Sequence, residues 1–359
     1  MIRLEELARG HDNNFSLIRV GAAYFVLLAH CFGLLIGAKA ASVYPAMFWI
    51  GEMAVNLFFA ISGFLITQSY VRQGHLMRFM RARMLRLMPA LIAAVVLGAL
   101  MIGPLMTTLS LADYFSHGEV WRYIYKNILL TKTMYYLPGV FESNPYDPPA
   151  VNGSLWTLRY ELKMYAIAAL IGCVGALRHR WKFYVCAAGF LAWYFAVFFR
   201  PEWFGGEVTE RDQFVRISIY FFMGAFFQMH ARWIPMDWRG GLLVALLLSA
   251  LAWVTQNTHF HAFFMAAAAT FWLLYVAYVP KGWIRGYNRV GDFSYGTYVY
   301  AFPVQQSWIA LLPGIGPLGV LVLSVPTVAA LAYVSWHWLE KPALDYNKRL
   351  LKREQQQGR

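Results

Sequence analysis

Apolar runs of 18 residues or more recur along this chain between residues 15 and 339, and no other feature constrains its fold as tightly. A run of that length, coiled as an α-helix, matches the hydrocarbon thickness of a bilayer, where only helices or closed barrels satisfy their own backbone polar groups. Of the 359 residues, 59% are hydrophobic and only 14% charged, against about a quarter charged in a soluble domain. The expected fold is therefore all-α, a polytopic transmembrane helix bundle. Ten spans can be marked, at residues 15–37, 47–70, 87–108, 154–176, 182–199, 212–230, 240–257, 260–280, 291–311 and 315–339. A tight turn separates the seventh from the eighth.

The net charge of +13 is not gathered into a basic domain, so nucleic acid is not an expected partner. The Lys and Arg residues lie in short loops between the apolar runs, where they orient helices towards the cytoplasm. With the N-terminus placed inside, they favour the inner segments about threefold, so both termini are expected to be cytoplasmic. Cys31, Cys173 and Cys186 all fall within apolar runs, with no metal-ligand spacing, and read as packing residues. No metal site is expected. The first fourteen residues contain Glu5, Glu6 and Asp12 rather than the basic lead of a signal peptide, and Ala38-Lys39-Ala40 follows a run long enough to span. Residues 1–345 read as one integral-membrane domain and 346–359 as a charged cytoplasmic tail. The only long loop is 109–153, rich in aromatic residues.

Ionisable residues inside a span are costly, so each is a candidate for function. In the first span, Arg19 and His30 are eleven residues apart, which places them on one face about 16 Å apart along the axis. Two readings stand: a snorkelling arginine with a hydrogen-bonded histidine, or a binding and a reacting group on one helix. In the fourth span, Ser154, Leu158, Glu161 and Tyr165 form one stripe. The neighbours Arg159 and Lys163, two residues from Glu161, point away from it. Counted from opposite ends of their helices, His30 and Glu161 reach similar depths. A carboxylate beside a buried imidazole makes a natural general base. Arg83 and Arg86 stand at the mouth of the third span, level with Arg19. Three guanidinium groups there suit a phosphate-rich ligand, and anionic lipid headgroups suit them equally. In the second span, FFAISGFLIT at 58–67 carries Ser62-Gly63 at its middle. That step allows close helix approach or leaves room for a slender chain.

These elements together resemble the membrane-bound acyltransferase-3 family: Arg19-x10-His30, FFAISGFL at 58–65, Arg83-x-x-Arg86 and SLWTLRYELKMY at 154–165. GDFSYGTYVYAFP at 291–303 and WLEKP at 338–342 resemble its closing motifs, so the likeness runs in order over nearly the whole chain. It implies a multi-pass enzyme of the bacterial inner membrane, with no bound cofactor. Such an enzyme moves an acyl group, usually acetyl, from cytoplasmic acyl-CoA to a sugar hydroxyl of a surface glycan or lipid-linked precursor. Membrane lipids are the other expected partners. By this resemblance His30 and Glu161 are the catalytic base and its carboxylate, with Tyr165 or Ser154 donating to the oxyanion. Arg19, Arg83 and Arg86 hold the phosphates of CoA, and Ser62-Gly63 lies along the donor passage. Direct attack and a covalent acyl-histidine are both compatible with these residues. Two departures stand out: Ala301 replaces the family's histidine and Asn56 its aspartate. The chain also has no room for the extracytoplasmic domain that many relatives append. A secondary transporter or flippase using the same groups as a proton relay is the rival reading. It lacks the two related halves that transporters commonly show.

Overall fold

The computed structural model describes residues 2–10, 12–204, 210–258 and 260–357, and among them every regular element is helical. In chain order the helices are α1 (Leu4–Ala8), α2 (Phe15–Ile36), α3 (Ala40–Val43), α4 (Pro45–Gln73), α5 (Leu76–Leu97), α6 (Gly103–Met106), α7 (Leu111–Ser116) and α8 (Gly118–Ile128). They continue as α9 (Trp156–Cys173), α10 (Arg180–Phe199), α11 (Glu210–Met229), α12 (Trp238–Val254), α13 (His261–Tyr278), α14 (Ser294–Leu311), α15 (Pro317–Ser335) and α16 (Lys341–Gln357). Each of the ten expected spans coincides with a helix. Six helical stretches among the described residues are long and apolar enough to cross a membrane: 15–36, 45–73, 76–106, 180–199, 261–278 and 317–356. The other four expected spans are short or polar: α12 has 17 residues, α9 carries Arg159, Glu161 and Lys163, α11 opens on charged residues, and α14 is rich in Tyr, Ser and Gln.

Caps explain several boundaries. Pro317 occupies the first turn of α15, where its missing N–H costs nothing. Ser110 accepts from the Asp113 amide at 3.1 Å and Asp237 from the Gly240 amide at 3.0 Å, starting α7 and α12.

Two local expectations change, and the charged tail, expected as a helix end, is helical. The arginine-rich segment before residue 87 is not a loop: α5 begins at Leu76, so Arg78, Arg81, Arg83 and Arg86 project from a helix. Charge ends an apolar run, but it does not end a helix that continues beyond the hydrocarbon. The 109–153 segment contains α7 and α8, and α8 buries Val120, Tyr123 and Asn127 while exposing Trp121 and Tyr125. The C-terminal tail is helical in α16, with Arg81 pairing to Glu354 at 2.5 Å and donating to Asn347 Oδ1 at 3.0 Å.

Contacts divide the chain into two units. The first comprises residues 1–18, 55–80 and 163–290. Within it α4 and α11 touch backbone to backbone. A Cβ at Gly63 would overlap the Phe221 carbonyl, and one at Gly224 would overlap the Ala60 carbonyl. The Ser62-Gly63 step is thus a small-residue contact, one of the few ways helices gain packing energy in lipid. The second unit comprises residues 19–54, 81–162 and 291–359. One apolar cluster there joins α5, α8, the start of α9 and α14 through residues such as Leu91, Tyr123, Leu158 and Val299. Another joins α2, α14 and α15 through Leu27, Leu34, Phe302 and Val328.

Candidate active site

The second unit contains a buried ionic network. Arg19 of α2 and Arg86 of α5 both reach Oδ2 of Asp292, at 2.9 Å and 2.6 Å. Ser294 Oγ donates to the other carboxylate oxygen at 2.6 Å. Arg86 also approaches Glu340 at 3.6 Å, and Glu340 accepts from Ser335 Oγ at 3.0 Å. Glu340 is fully buried and closes a π-turn at Trp336–Glu340, a distortion that often marks functional positions. Gly291, just ahead of Asp292, sits at φ +130°, and any Cβ there would collide with the Trp336 indole. The backbone entering α14 is therefore glycine-dependent. Arg83 lies one turn before Arg86 on α5. Two of the three expected arginines are thus brought together, on a carboxylate that the sequence reading did not single out.

His30 lies on α2, eleven residues beyond Arg19. It is half-buried and packs edge-on to Phe302 of α14, with ring centres 5.3 Å apart. Phe302 in turn meets Tyr146 at 5.8 Å. On either side of His30, the Leu27 carbonyl and Cys31 Sγ accept from Gln305 Nε2, at 2.8 Å and 3.0 Å. Ala301 is buried in the apolar cluster with Leu27, Cys31 and Leu34. Gln305, one turn further along α14, makes the polar contact to α2.

Ser154 is buried in the 3-10 turn leading into α9, held by Asn152, whose Oδ1 accepts from the Ser154 amide at 3.1 Å. Asn152 Nδ2 donates to the Val299 carbonyl at 2.9 Å, fixing that turn to α14. The Ser154 hydroxyl is buried without a hydrogen-bond partner. The Thr157 and Tyr298 hydroxyls are 2.9 Å apart. Glu161, one turn beyond Thr157, lies within Coulomb reach of Tyr298. His30 Nδ1 is buried and accepts or donates no hydrogen bond. Glu161 lies on the face of α9 that reaches towards Tyr298.

The remaining candidates belong to the first unit. Tyr165 is buried there on α9, and Ser62 and Gly63 lie on α4, the open side of Gly63 being filled by the backbone of Phe221. Asn56 is buried with its Oδ1 unpartnered. Of the other histidines, His261 contacts the Ala252 carbonyl at 2.9 Å and His337 stacks on Tyr333, while His259 lies outside the described residues. Among the described residues no group of three or more His, Cys, Asp or Glu could hold a metal ion.

Asp292, Glu340, Thr157, Tyr298 and Gln305 were missed from sequence. The signal was present for the two acids, which stand at helix mouths within GDFSY and WLEKP. For Thr157 it lay in the stripe of α9 that already held Ser154 and Glu161.

The chain belongs to the acyltransferase-3 family, whose sequence pattern, described as an acyltransferase domain, matches residues 12–337. It is an acyltransferase with a helical membrane domain. It is 28% identical over 349 residues to a protein of Shigella phage Sf6 named O-acetyl transferase, covering 92% of this chain and 95% of that one. It is 27% identical over 381 residues to nodulation protein 10 of Rhizobium leguminosarum bv. viciae, covering 97% of each. No solved structure matches it. The transporter reading gains no support from these likenesses.

Proposed function

We propose that this chain is a multi-pass O-acyltransferase of a bacterial inner membrane that moves an acetyl group from cytoplasmic acetyl-CoA to a sugar hydroxyl. The acceptor class is a surface glycan, a glycolipid or its lipid-linked precursor. One observation carries the reading: α2 bears Arg19, gathered with Arg86 on buried Asp292, and His30 about 16 Å further along the same helix. The relative named as an O-acetyl transferase supports the choice of acetyl.

In this reading both termini are cytoplasmic, so the arginines face the donor's side. Asp292 holds two guanidinium groups side by side, the planar multi-donor group that suits phosphate oxygens. Arg83 adds a third. At His30 the imidazole takes the proton of the acceptor hydroxyl while its oxygen attacks the thioester carbonyl carbon. The C–S bond then breaks, and the leaving thiolate recovers the proton from imidazolium. Glu161 stabilises that transient cation across the α9 face. Ser154, whose hydroxyl is already desolvated, donates to the oxyanion.

The test uses purified protein in liposomes with radiolabelled acetyl-CoA and surface glycan from a deletion strain. Label in the glycan, released as acetate by mild base, is the expected result. Intact acetyl-CoA with no labelled glycan would overturn the proposal.

A further inference from the structure

The charge-free stretch that follows Arg86, residues 87–106, rises about 30 Å as a helix, the full thickness of the hydrocarbon. Gly98, Ala99 and Gly103 therefore lie at membrane depth, within about 12 Å of its Met106 end. Two tyrosines from the segment that follows reach this backbone. Tyr114 of α7 is fully buried, and its hydroxyl donates to the Ala99 carbonyl at 2.8 Å. The same hydroxyl fills the open side of Gly103, where a Cβ would overlap it. Tyr123 of α8, also fully buried, brings its hydroxyl against Gly98. Both helices are thus pinned one side chain away from backbone at membrane depth.

With a helical turn every 3.6 residues, α8 divides into three sectors. Val120, Tyr123 and Asn127 form the buried one. Glu119, Arg122 and Lys126 form a charged one. Trp121 and Tyr125, with Leu129 just past the helix end, form a third that is apolar yet exposed, at 51%, 50% and 63%. Trp121 is fixed in place: its indole N–H donates to the Phe115 carbonyl at 3.2 Å, and its ring lies 6.5 Å from that of Phe115, itself exposed on α7. Along the chain the patch follows directly on the last turn of the span, where Leu105 is 70% exposed, and only residues 107–110 separate α6 from α7. An apolar sector flanked by charge, on short helices held at the end of a span, is the pattern of an element lying in a membrane interface.

We infer that α7 and α8 form an interfacial anchor lying in the leaflet at the Met106 end of the span, and that their partner is the lipid of the chain's own bilayer. Phe115, Trp121, Tyr125 and Leu129 enter the boundary between acyl chains and headgroups, while Glu119, Arg122 and Lys126 stay among the headgroups. The indole and phenol rings suit that boundary, each having an apolar body and one polar group. The aromatic 109–153 segment is thus held in the membrane surface at its start and is not a loop free in water.

The test uses the full chain in nanodiscs of phosphatidylcholine and phosphatidylglycerol, with a coumarin amino acid encoded at one surface position at a time. Quenching by doxyl-labelled phosphatidylcholine is divided by quenching by aqueous iodide. At positions 121, 125 and 129 the ratio is expected within about twofold of that at Leu105, on the span itself. At 119, 122 and 126 it should be about fivefold lower, so that the ratio rises and falls with the helical period. Radiolytic hydroxyl labelling of the unmodified chain gives the same reading without a probe. Trp121 and Tyr125, though exposed on the protein, should be oxidised about fivefold more slowly in nanodiscs than in the unfolded chain. A ratio at 121, 125 and 129 no higher than at 119, 122 and 126 would overturn the inference, as would oxidation of both aromatic residues at the unfolded rate. Weak quenching by both agents, with a crosslink between two copies through position 121, would assign the face to a second copy and overturn it too.

Discussion

The two units of this chain differ in what they bury at membrane depth. In the first, α4 and α11 press backbone against backbone at Gly63 and Gly224, aromatic rings pack around them, as where Phe190 stacks on Phe222 at 4.8 Å, and the buried polar side chains, such as Asn14, Asn56 and Thr270, are uncharged. In the second, the interior is crossed by polar side chains: Asp292, Glu340, Gln305, Gln306, Asn144 and Asn152 are all buried, and each is engaged by a neighbour. Close packing by small residues is sufficient to hold membrane helices together. Buried charge is not needed for that and is expensive, so it persists where something must be bound or transferred. On this contrast we propose that the chemistry belongs to the second unit.

The comparison can be broken by substitutions that separate activity from stability. His30→Ala should lower transfer by about 10²–10⁴-fold, the range removed with a general base, while the protein stays inserted and monodisperse. Turnover at the wild-type rate would take His30 out of the reaction. Glu161→Gln keeps the side chain's shape and removes its charge, and a loss of about two orders of magnitude in kcat is expected. If Gln is as active as wild type and only Ala fails, Glu161 is a packing residue. Asp292→Asn releases two guanidinium groups from their shared partner, each such bond contributing about 1.5–3 kcal/mol. The expected result is a roughly tenfold or greater fall in kcat/KM, chiefly through KM, in steady-state kinetics with varied acetyl-CoA. Gly224→Ala addresses the other unit. Overpacking against the Ala60 carbonyl should cost about 1–3 kcal/mol in thermal unfolding in detergent, with turnover per folded molecule unchanged. A Gly224 variant of full stability but impaired chemistry would dissolve the distinction between the units.

The helices themselves were legible because hydrocarbon thickness fixes the length of an apolar run, and every marked run is a helix. What was not legible follows from the same rule. Hydropathy records lipid, not hydrogen bonding, so it placed the start of the third helix at residue 87 although α5 coils from Leu76 with its arginines outside the apolar segment. The pairing of Arg19 and Arg86 on Asp292 joins residues far apart in the chain, and spacing along one helix carries no record of it. Ser62-Gly63 was ambiguous in sequence because a missing side chain looks the same whether a backbone or a ligand fills its place. At Gly63 the backbone of Phe221 fills it. Gln305 could not be found from sequence, since its bond to the Leu27 carbonyl joins residues far apart in the chain.

The central claim is a division of labour along α2, with donor binding at the arginines and proton transfer at His30, and CoA titration by calorimetry tests it most directly. Arg86→Ala should weaken CoA binding by about 1.5–3 kcal/mol, roughly ten- to a hundredfold, and Arg86→Lys should recover only part of that because an ammonium lacks the guanidinium fork. His30→Ala should bind CoA as the wild type does while failing to transfer. Normal CoA binding by both Arg83→Ala and Arg86→Ala would contradict the account, leaving these arginines as anchors to the membrane surface.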